Sequence, residues 1–183
     1  MILPSVAKPV DVCSAFAAGS GNSKHRMTTR RTLLLLVSAI AARFSAPPAG
    51  AQLQRFATSE LTIVSSNGPH HFTVEVAETP AQMEQGLMFR RAMAPVAGML
   101  FDYKTPTVAT MWMRNTLIPL DMLFVDAQGR IVNIHERAVP LSTDVISAAA
   151  PVRAVIELNG GTAARLGIAP GDQVRHSIFG NTS

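Results

Sequence analysis

Apolar and polar residues alternate along several short segments of this chain. The segment "HFTVEV" (71–76) alternates throughout, and the preceding Asn67-Gly68 dipeptide is typical of a hairpin turn. The segment "IPLDMLFVDAQGRIVNIHE" (118–136) is a second predicted hairpin, with its turn at 126–129. A period of two residues places alternate side chains on opposite faces of a strand. These segments therefore predict antiparallel strands.

Only two segments predict helices, and both are short. In the first, Thr79 suits the N-cap, Pro80 suits the first helical position, Gln82 completes a capping box and Gly86 can end the helix. The second, "NGGTAARLGI", is expected to end at Gly167.

The remaining short apolar segments predict further strands, at 98–103, 107–113, 152–158 and 173–178. Residues 137–150 show no firm period and are expected to form a loop. Many short strands without alternating βαβ units predict a mainly β fold, α+β only at its margins. We expect a single compact antiparallel β-sandwich or a partly open barrel with two short helices.

A targeting signal precedes this domain. Residues 27–51 contain a basic start (Arg30, Arg31), an apolar run at 33–42 and a small-residue cleavage site at 49–51, which together are typical of a secretory signal peptide. The run is too short to span a membrane, so no stable membrane insertion is expected after cleavage. The paired arginines also fit twin-arginine export. The pattern predicts a periplasmic or secreted protein.

Cleavage before Gln52 divides the chain into four parts. Residues 1–26 are interpreted as an unstructured extension upstream of the true start codon. The signal peptide follows, then a flexible tail at 52–59 and a single β-rich domain at 60–183.

Removing the leader changes the electrostatic picture. The full chain has a net charge of +4, but residues 52–183 keep ten basic and eleven acidic residues, a net charge of −1. No basic surface for nucleic acid is therefore expected. The single cysteine, Cys13, is lost with the leader, so the mature domain has no disulfide or thiol chemistry. The oligomeric state is left open.

Four ordered motifs resemble a known family. The segments "EQGLMFRR", "GMLFDY", "MWMRNTLIPLDMLFVDAQGRIV" and "VIELNGGTAARLGIAPGDQV" resemble the domain of unknown function 192 family, over about 72–178. The resemblance implies a compact β-rich domain, often exported in bacteria, and implies no reaction. Residues that match the family's polar pattern are Arg90, Arg114, Asn115, Asp121, Glu157 and Asp172. A lysine is more usual at position 114.

The apolar segment "MWMRNTLIPLDMLFV" (111–125) contains Arg114, Asn115 and Asp121, which are costly to bury without partners. Two interpretations remain open. In the structural one, an Arg114–Asp121 ion pair and hydrogen bonds from Asn115 to the backbone at 116–119 stabilise a corner.

In the functional interpretation, Arg90, Arg114, Asn115 and Glu157 line one pocket, and Trp112 forms an apolar wall. Such a pocket suits a small polar or anionic ligand, for example a sugar or a carboxylate. Two further acids are assigned structural roles: Asp121 near a strand start, and Asp172 as a turn cap beside Gly171.

Two other function classes are an enzyme and a copper-binding protein. Residues 52–183 contain no motif of a serine hydrolase, zinc protease or phosphate-binding loop. A small hydrolase using Asp121 or Glu157 is the alternative, because carboxylates distant in sequence can meet across a sheet. A Cu(I) site at Met111 and Met113 is less favoured, since methionine commonly fills apolar cores. No cofactor or metal is predicted.

Overall fold

The computed structural model describes residues 53–182. The predicted extension at 1–26 and signal peptide at 27–51 lie outside them. The described chain is mainly β, as expected from the sequence. Its strands are β1 (Ala57–Ser65), β2 (Gly68–Ala77), β3 (Ala97–Thr107), β4 (Thr110–Met111), β5 (Leu120–Val125), β6 (Ile131–Ala138), β7 (Ile146–Ser147), β8 (Val152–Asn159) and β9 (Gln173–Arg175).

Two short helices complete the fold, α1 (Pro80–Gln85) and α2 (Thr162–Leu166), together with a 3₁₀ turn at Ser177–Phe179. The predicted capping box of α1 is present. The Thr79 side chain accepts a hydrogen bond from the backbone N–H of Gln82, whose own side chain accepts from the backbone of Thr79. Within residues 53–182, no helix has the length and apolarity needed to cross a membrane.

Seven strands form one curled sheet in the order β6-β5-β8-β3-β2-β1-β9. The two ends of this sheet approach each other at an isolated bridge between Arg130 and Gln173. Hydrogen bonds from Ile131 N–H to Asp172 C=O (3.0 Å) and from Val174 N–H to Gly129 C=O (2.7 Å) support the bridge. The sheet is therefore a partly open barrel, one of the two predicted architectures. Strands β4 and β7 form a separate small ribbon.

One strand pair departs from the antiparallel expectation. Strands β2 and β3 are parallel, with Thr73 opposite Ala97 and Ala77 opposite Phe101. A parallel pair requires the chain to cross back between its two strands. Residues 78–96, which include α1, supply this crossover. Local alternation in the sequence does not reveal it.

The amino-terminal segment is more ordered than the predicted flexible tail at 52–59. Strand β1 already begins at Ala57, which pairs with Val76 of β2. Before it, the Gln54 N–H donates to the Gln85 side chain at 2.7 Å. The Gln82 side chain donates to the Arg55 carbonyl at 2.8 Å. Backbone pairing and contacts with α1 therefore hold this segment against the domain.

The sheet has an apolar core on each face. One cluster takes residues from all seven strands, including Leu61, Leu100 and Val174, so the curl of the sheet encloses it. The other cluster includes Met99 and Met122 and lies on the opposite face. The segments between α1 and β5 contribute to this second cluster through side chains such as Leu87 and Met113. The candidate site lies on this covered face.

Candidate functional site

An open cleft lies between α1 and the segment that connects β4 to β5. Its volume is about 410 Å³. Three predicted site residues line it: Trp112, Arg114 and Asn115. Its other lining residues are Leu53, Gln54, Ala81, Glu84, Gln85, Met88 and Phe89. The sequence indicated only the side of the cleft that follows β4. It did not indicate the side formed by α1, since nothing local in α1 distinguishes a helix that borders a cleft from an ordinary surface helix.

A tight turn gives the segment after β4 its shape. The strand expected at 107–113 is interrupted, because β3 ends at Thr107 and β4 covers only Thr110–Met111. Asn115 has a φ of 57°, a left-handed conformation that asparagine tolerates better than most residues. Its carbonyl accepts the Phe89 N–H at 2.9 Å. This hydrogen bond joins the two walls of the cleft.

The polar and aromatic groups at the mouth are available to a ligand. Trp112 has 46% of its surface exposed, and Arg114 is also exposed. Among residues 53–182, no hydrogen-bond acceptor or acid pairs with the Arg114 guanidinium. The Asn115 amide lies 3.9 Å from the Met88 sulfur, a weak interaction. A cation without an internal partner beside an exposed indole is suited to an anionic or polar ligand.

Glu157 lies at the narrow inner end of this region. It belongs to β8, where Met99 of β3 and Met122 of β5 are its cross-strand neighbours. The residue is only 4% exposed, and no described group forms a hydrogen bond with its carboxyl. The small cavity at its side chain has a volume of about 30 Å³ and shares four lining residues with the open cleft: Glu84, Gln85, Met88 and Trp112. Its other lining residues are Met83, Gly86, Leu87, Phe101, Met111 and Thr116.

Burial governs the charge of this carboxyl. It raises the pKa of Glu157 to about 8, because the apolar surroundings disfavour the ionised form. Burial also raises the pKa of Tyr103 on β3, and the nearby charge of Glu157 raises it further. The Tyr103 hydroxyl donates to the Met111 sulfur at 3.4 Å and not to Glu157. Glu157 is therefore a titratable group without internal compensation.

Arg90 does not join the cleft. Its guanidinium makes a two-pronged ion pair with Glu75 of β2, with nitrogen–oxygen distances of 2.7 and 2.5 Å. Its Cζ atom lies 6.0 Å from the centre of the Phe56 ring, within the range of a cation–π interaction. The pocket interpretation placed Arg90 beside Arg114, and the pairing with Glu75 explains why it lies elsewhere.

Asp121 is fully buried and does not contact Arg114. One carboxylate oxygen accepts the backbone N–H groups of Arg137 (2.8 Å) and Gly161 (2.9 Å), and the other accepts that of Ala163 (2.8 Å). These bonds connect β5 to β6 and to the start of α2. The Arg114–Asp121 ion pair of the structural interpretation is absent from residues 53–182.

Asp172 lies in the turn between α2 and β9. Its carboxylate accepts the Ala169 N–H at 2.8 Å, and its own N–H donates to the Ala169 carbonyl at 3.1 Å. Gly171, with a φ of +97°, supplies the left-handed residue in this turn. Asp172 and Asp121 thus both accept backbone N–H groups.

The methionines suggested as copper ligands both pack with the second core. Met113 is buried within it, and Met111 packs against it, half-buried beside Tyr103. The strand alternation that would align them is interrupted, as β4 ends at Met111. Across residues 53–182, no group of three or more His, Cys, Asp or Glu side chains is placed to hold a metal ion.

A serine–histidine contact occurs on the opposite side of the sheet. His176 Nε2 lies 2.8 Å from Ser59 Oγ, and its Nδ1 accepts the Ile178 N–H at 3.3 Å. Because Nδ1 is an acceptor, the neutral ring carries its proton on Nε2 and donates it to the serine. A base that activates serine needs the opposite arrangement. Burial also lowers the pKa of His176. We interpret this pair as a structural contact.

Comparison with known proteins agrees with the fold. No functionally curated protein matches the chain. A solved structure from Sinorhizobium meliloti, provisionally named a transcription regulator, is 46% identical, with a TM-score of 0.67; the match covers 69% of this chain and 99% of that one. A protein of unknown function from Novosphingobium aromaticivorans is 42% identical, with a TM-score of 0.64, covering 69% and 96% of the two chains.

The family assignment rests on more than these two structures. The model of domain of unknown function 192 (DUF192), described as "Uncharacterized ACR", matches residues 62–176, more than half of the chain. That range contains the cleft residues from α1 to Asn115, and Glu157. The chain therefore belongs to the DUF192 family, whose function is uncharacterised.

Proposed function

We propose that this protein is a binding or accessory module that holds a small polar or anionic ligand in the cleft beside Trp112. One observation carries the proposal: a cleft of about 410 Å³ is lined by an exposed Trp112 and by Arg114, whose guanidinium has no partner within residues 53–182, and it adjoins the small cavity at Glu157. Groups left uncompensated in an empty protein favour a ligand that supplies their partners.

The mouth supports recognition of an anionic or polar group. The Arg114 guanidinium offers two parallel donors to a carboxylate, and the Asn115 amide adds a neutral donor and acceptor. Leu53, Phe89 and Trp112 supply apolar surface for the rest of the ligand. The carboxylate of Glu84 on the same wall disfavours a second negative charge there. A ligand with one negative charge fits this arrangement.

A small hydrolase is the alternative proposal, and the geometry supports it less. Asp121 has no exposed surface, and both its oxygens accept backbone N–H groups. Glu157, largely protonated at neutral pH, suits a general acid. Hydrolysis would also need a group that activates water, and the other carboxylate at this cavity, that of Glu84, belongs to an exposed residue. Binding requires no such second group.

Trp112 provides the test, because it is the only tryptophan in the chain. Its fluorescence should change saturably when acetate, benzoate, glucuronate or glucose is titrated into the mature protein, with an anionic probe binding more tightly than glucose. Arg114→Gln should weaken the binding of the anionic probe at least tenfold. Arg91→Gln, at an exposed arginine outside the cleft, is the matched control.

Two results would contradict the proposal. One is a panel in which no probe gives a saturable change. The other is an equal loss of affinity in Arg114→Gln and Arg91→Gln, which would mean that net charge and not the cleft attracts the probe. We also propose that binding takes place in the periplasm or outside the cell, on the basis of the predicted signal peptide.

A further inference from the structure

The unpartnered Glu157 carboxyl restricts the chemistry of the ligand. Buried polar side chains in native proteins nearly always have hydrogen-bond partners. Here Met99 and Met122 occupy the cross-strand positions on either side, and neither offers an N–H or O–H donor from its side chain. The carboxyl instead faces the small cavity that it shares with Trp112. Within residues 53–182 the carboxyl has no hydrogen-bond donor, but its oxygens are not fully enclosed, so a water molecule or a ligand that enters the cavity can supply one.

The walls of this inner cavity favour a positive charge. Phe101 and Trp112 present aromatic rings, and Met83, Met88 and Met111 present polarizable thioethers. The volume of about 30 Å³ admits a group the size of a water molecule but excludes a bulky one. A primary ammonium group at the end of an alkyl chain meets both conditions.

We propose that the cleft binds an ω-amino acid: its ammonium group donates to the Glu157 carboxylate at the inner end, and its carboxylate lies beside Arg114 and Asn115 at the mouth. This inference rests on the proposed binding function and deepens it. The apolar stem of the ligand lies along Trp112. In the complex, the two opposite charges of the ligand face the Arg114 guanidinium and a Glu157 carboxylate that is ionised on binding.

The competing chemistry is a neutral or anionic acceptor that takes a hydrogen bond from protonated Glu157. Such a group uses one carboxyl oxygen and leaves the other without a donor. An ammonium group has three N–H donors and can satisfy both oxygens. It also stabilises the ionised carboxylate by making an ion pair, which offsets the cost of deprotonating Glu157 in its buried position. The number of hydrogen bonds that each group can make with the carboxyl therefore favours the ammonium group.

The two chemistries predict opposite pH dependence. Binding an ammonium group requires ionised Glu157, so affinity should rise with pH up to the pKa of about 8. An acceptor requires the protonated carboxyl, and its affinity should fall as pH rises through that value. Within residues 53–182, the titratable groups beside Glu157 are Tyr103 on β3 and Glu84 on α1. His135 on β6 lies opposite Met122, and Arg114 lines the adjoining cleft.

The experiment compares matched ligands on the mature protein by calorimetry. The probes are 4-aminobutanoate, 6-aminohexanoate and 8-aminooctanoate, each with the carboxylate of the same length that lacks the amine. At pH 7.5, the amino acid that fits the cleft should bind at least tenfold more tightly than the carboxylate of the same length without the amine. The affinity for this amino acid should weaken about tenfold for each unit by which the pH falls from 7.5 to 6. Titration of histidines alone would change the affinity much less over the same range.

Glu157→Gln should abolish the advantage of the amine and its pH dependence, while leaving the binding of the simple carboxylate. Glu136→Gln, at an exposed glutamate of β6, is the matched control. Thermal melts verify that both variants are folded. Simple carboxylates that bind as tightly as the amino acids, or affinities that fall with rising pH, overturn this inference and leave the proposed function standing. Failure of all probes, charged or neutral, overturns both.

Discussion

Glu157 is the residue whose chemistry depends most on its surroundings. In the sequence it is the single acid of the apolar segment "VIEL", and its neighbours along the chain do not show whether its carboxyl has a hydrogen-bond partner. The fold places it between two methionines under a covering segment, where no described donor reaches it. Its effect on stability should therefore depend on pH, in the direction set by its raised pKa.

We predict that stability falls as pH rises from about 4.5 to about 8. The folded protein keeps the Glu157 proton up to a pKa of about 8, whereas the unfolded chain releases it near the ordinary value of 4.5. In this window the unfolded state binds fewer protons, which lowers the free energy of unfolding by roughly 3 to 5 kcal/mol in total. Glu157→Gln should be nearly neutral at pH 4.5 and more stable than the parent at pH 8.

Urea denaturation of the parent and of Glu157→Gln at several pH values measures this effect. Glu136→Gln, whose side chain is exposed, should leave the pH profile unchanged. Parallel profiles for the parent and Glu157→Gln would show that burial of the carboxyl has no such effect.

Asp121 and Arg114 provide a second prediction at the residue scale. Asp121→Ala removes the acceptor of three backbone N–H groups and should cost about 3 kcal/mol or more. Arg114→Ala removes an exposed, unpaired side chain and should change stability by less than about 0.5 kcal/mol. The double mutant should be additive, since the two residues share no contact. A coupling above about 1 kcal/mol would instead support the corner ion pair.

At the scale of single elements, α1 links local sequence to the shape of the cleft. The Thr79–Gln82 capping box starts the helix, and Gly86 ends it with a backbone N–H donated to the Gln82 carbonyl. These signals act over a few residues, so they are visible in the sequence. The helix then presents Glu84 and Gln85 to the cleft. Its orientation depends on the parallel β2–β3 crossover, which is a long-range feature.

We predict that Thr79→Ala lowers the free energy of unfolding by about 1 kcal/mol, because the N–H of Gln82 loses its acceptor. Thr79→Ser keeps the side-chain oxygen and should recover most of this loss. Chemical denaturation of the three proteins gives the comparison. Equal losses for alanine and serine would indicate that the threonine methyl group, and not the cap, stabilises the helix.

At the scale of the whole molecule, the segment before Gln52, which includes the predicted leader, carries the net positive charge of the chain. All of the basic excess lies before Gln52, so the exported domain would be nearly neutral overall, with a net charge of −1. Gln54 and Arg55, which precede β1, form hydrogen bonds with α1. A cleavage site before Gln52 therefore leaves every described helix and strand intact. Export remains a proposal that rests on the leader pattern.

We predict that the protein recovered from its native cells begins at Gln52 or an adjacent residue, because the small residues at 49–51 fit a signal peptidase site. Amino-terminal sequencing measures this. Arg30→Lys with Arg31→Lys should block export if the twin-arginine route is used and permit it if the general route is used. A cytoplasmic protein that keeps residues 27–51 would contradict the export proposal.

The sequence by itself determined most of the strands, both helices, the capping box of α1, the mainly β class and the family, because these depend on side-chain periodicity and on signals that span few residues. It also indicated Trp112, Arg114 and Asn115, since polar groups in an apolar segment are conspicuous.

Only the tertiary structure decided the partners of these residues. It paired Arg90 with Glu75, gave Asp121 three backbone donors and placed no donor at Glu157 in the part of the chain that the structure describes. Each contact joins residues at least 15 positions apart in the chain, brought together by strand order and by the β2–β3 crossover. Local patterns carry no information about such pairings, because the free energy of a buried charge depends on groups supplied by other elements.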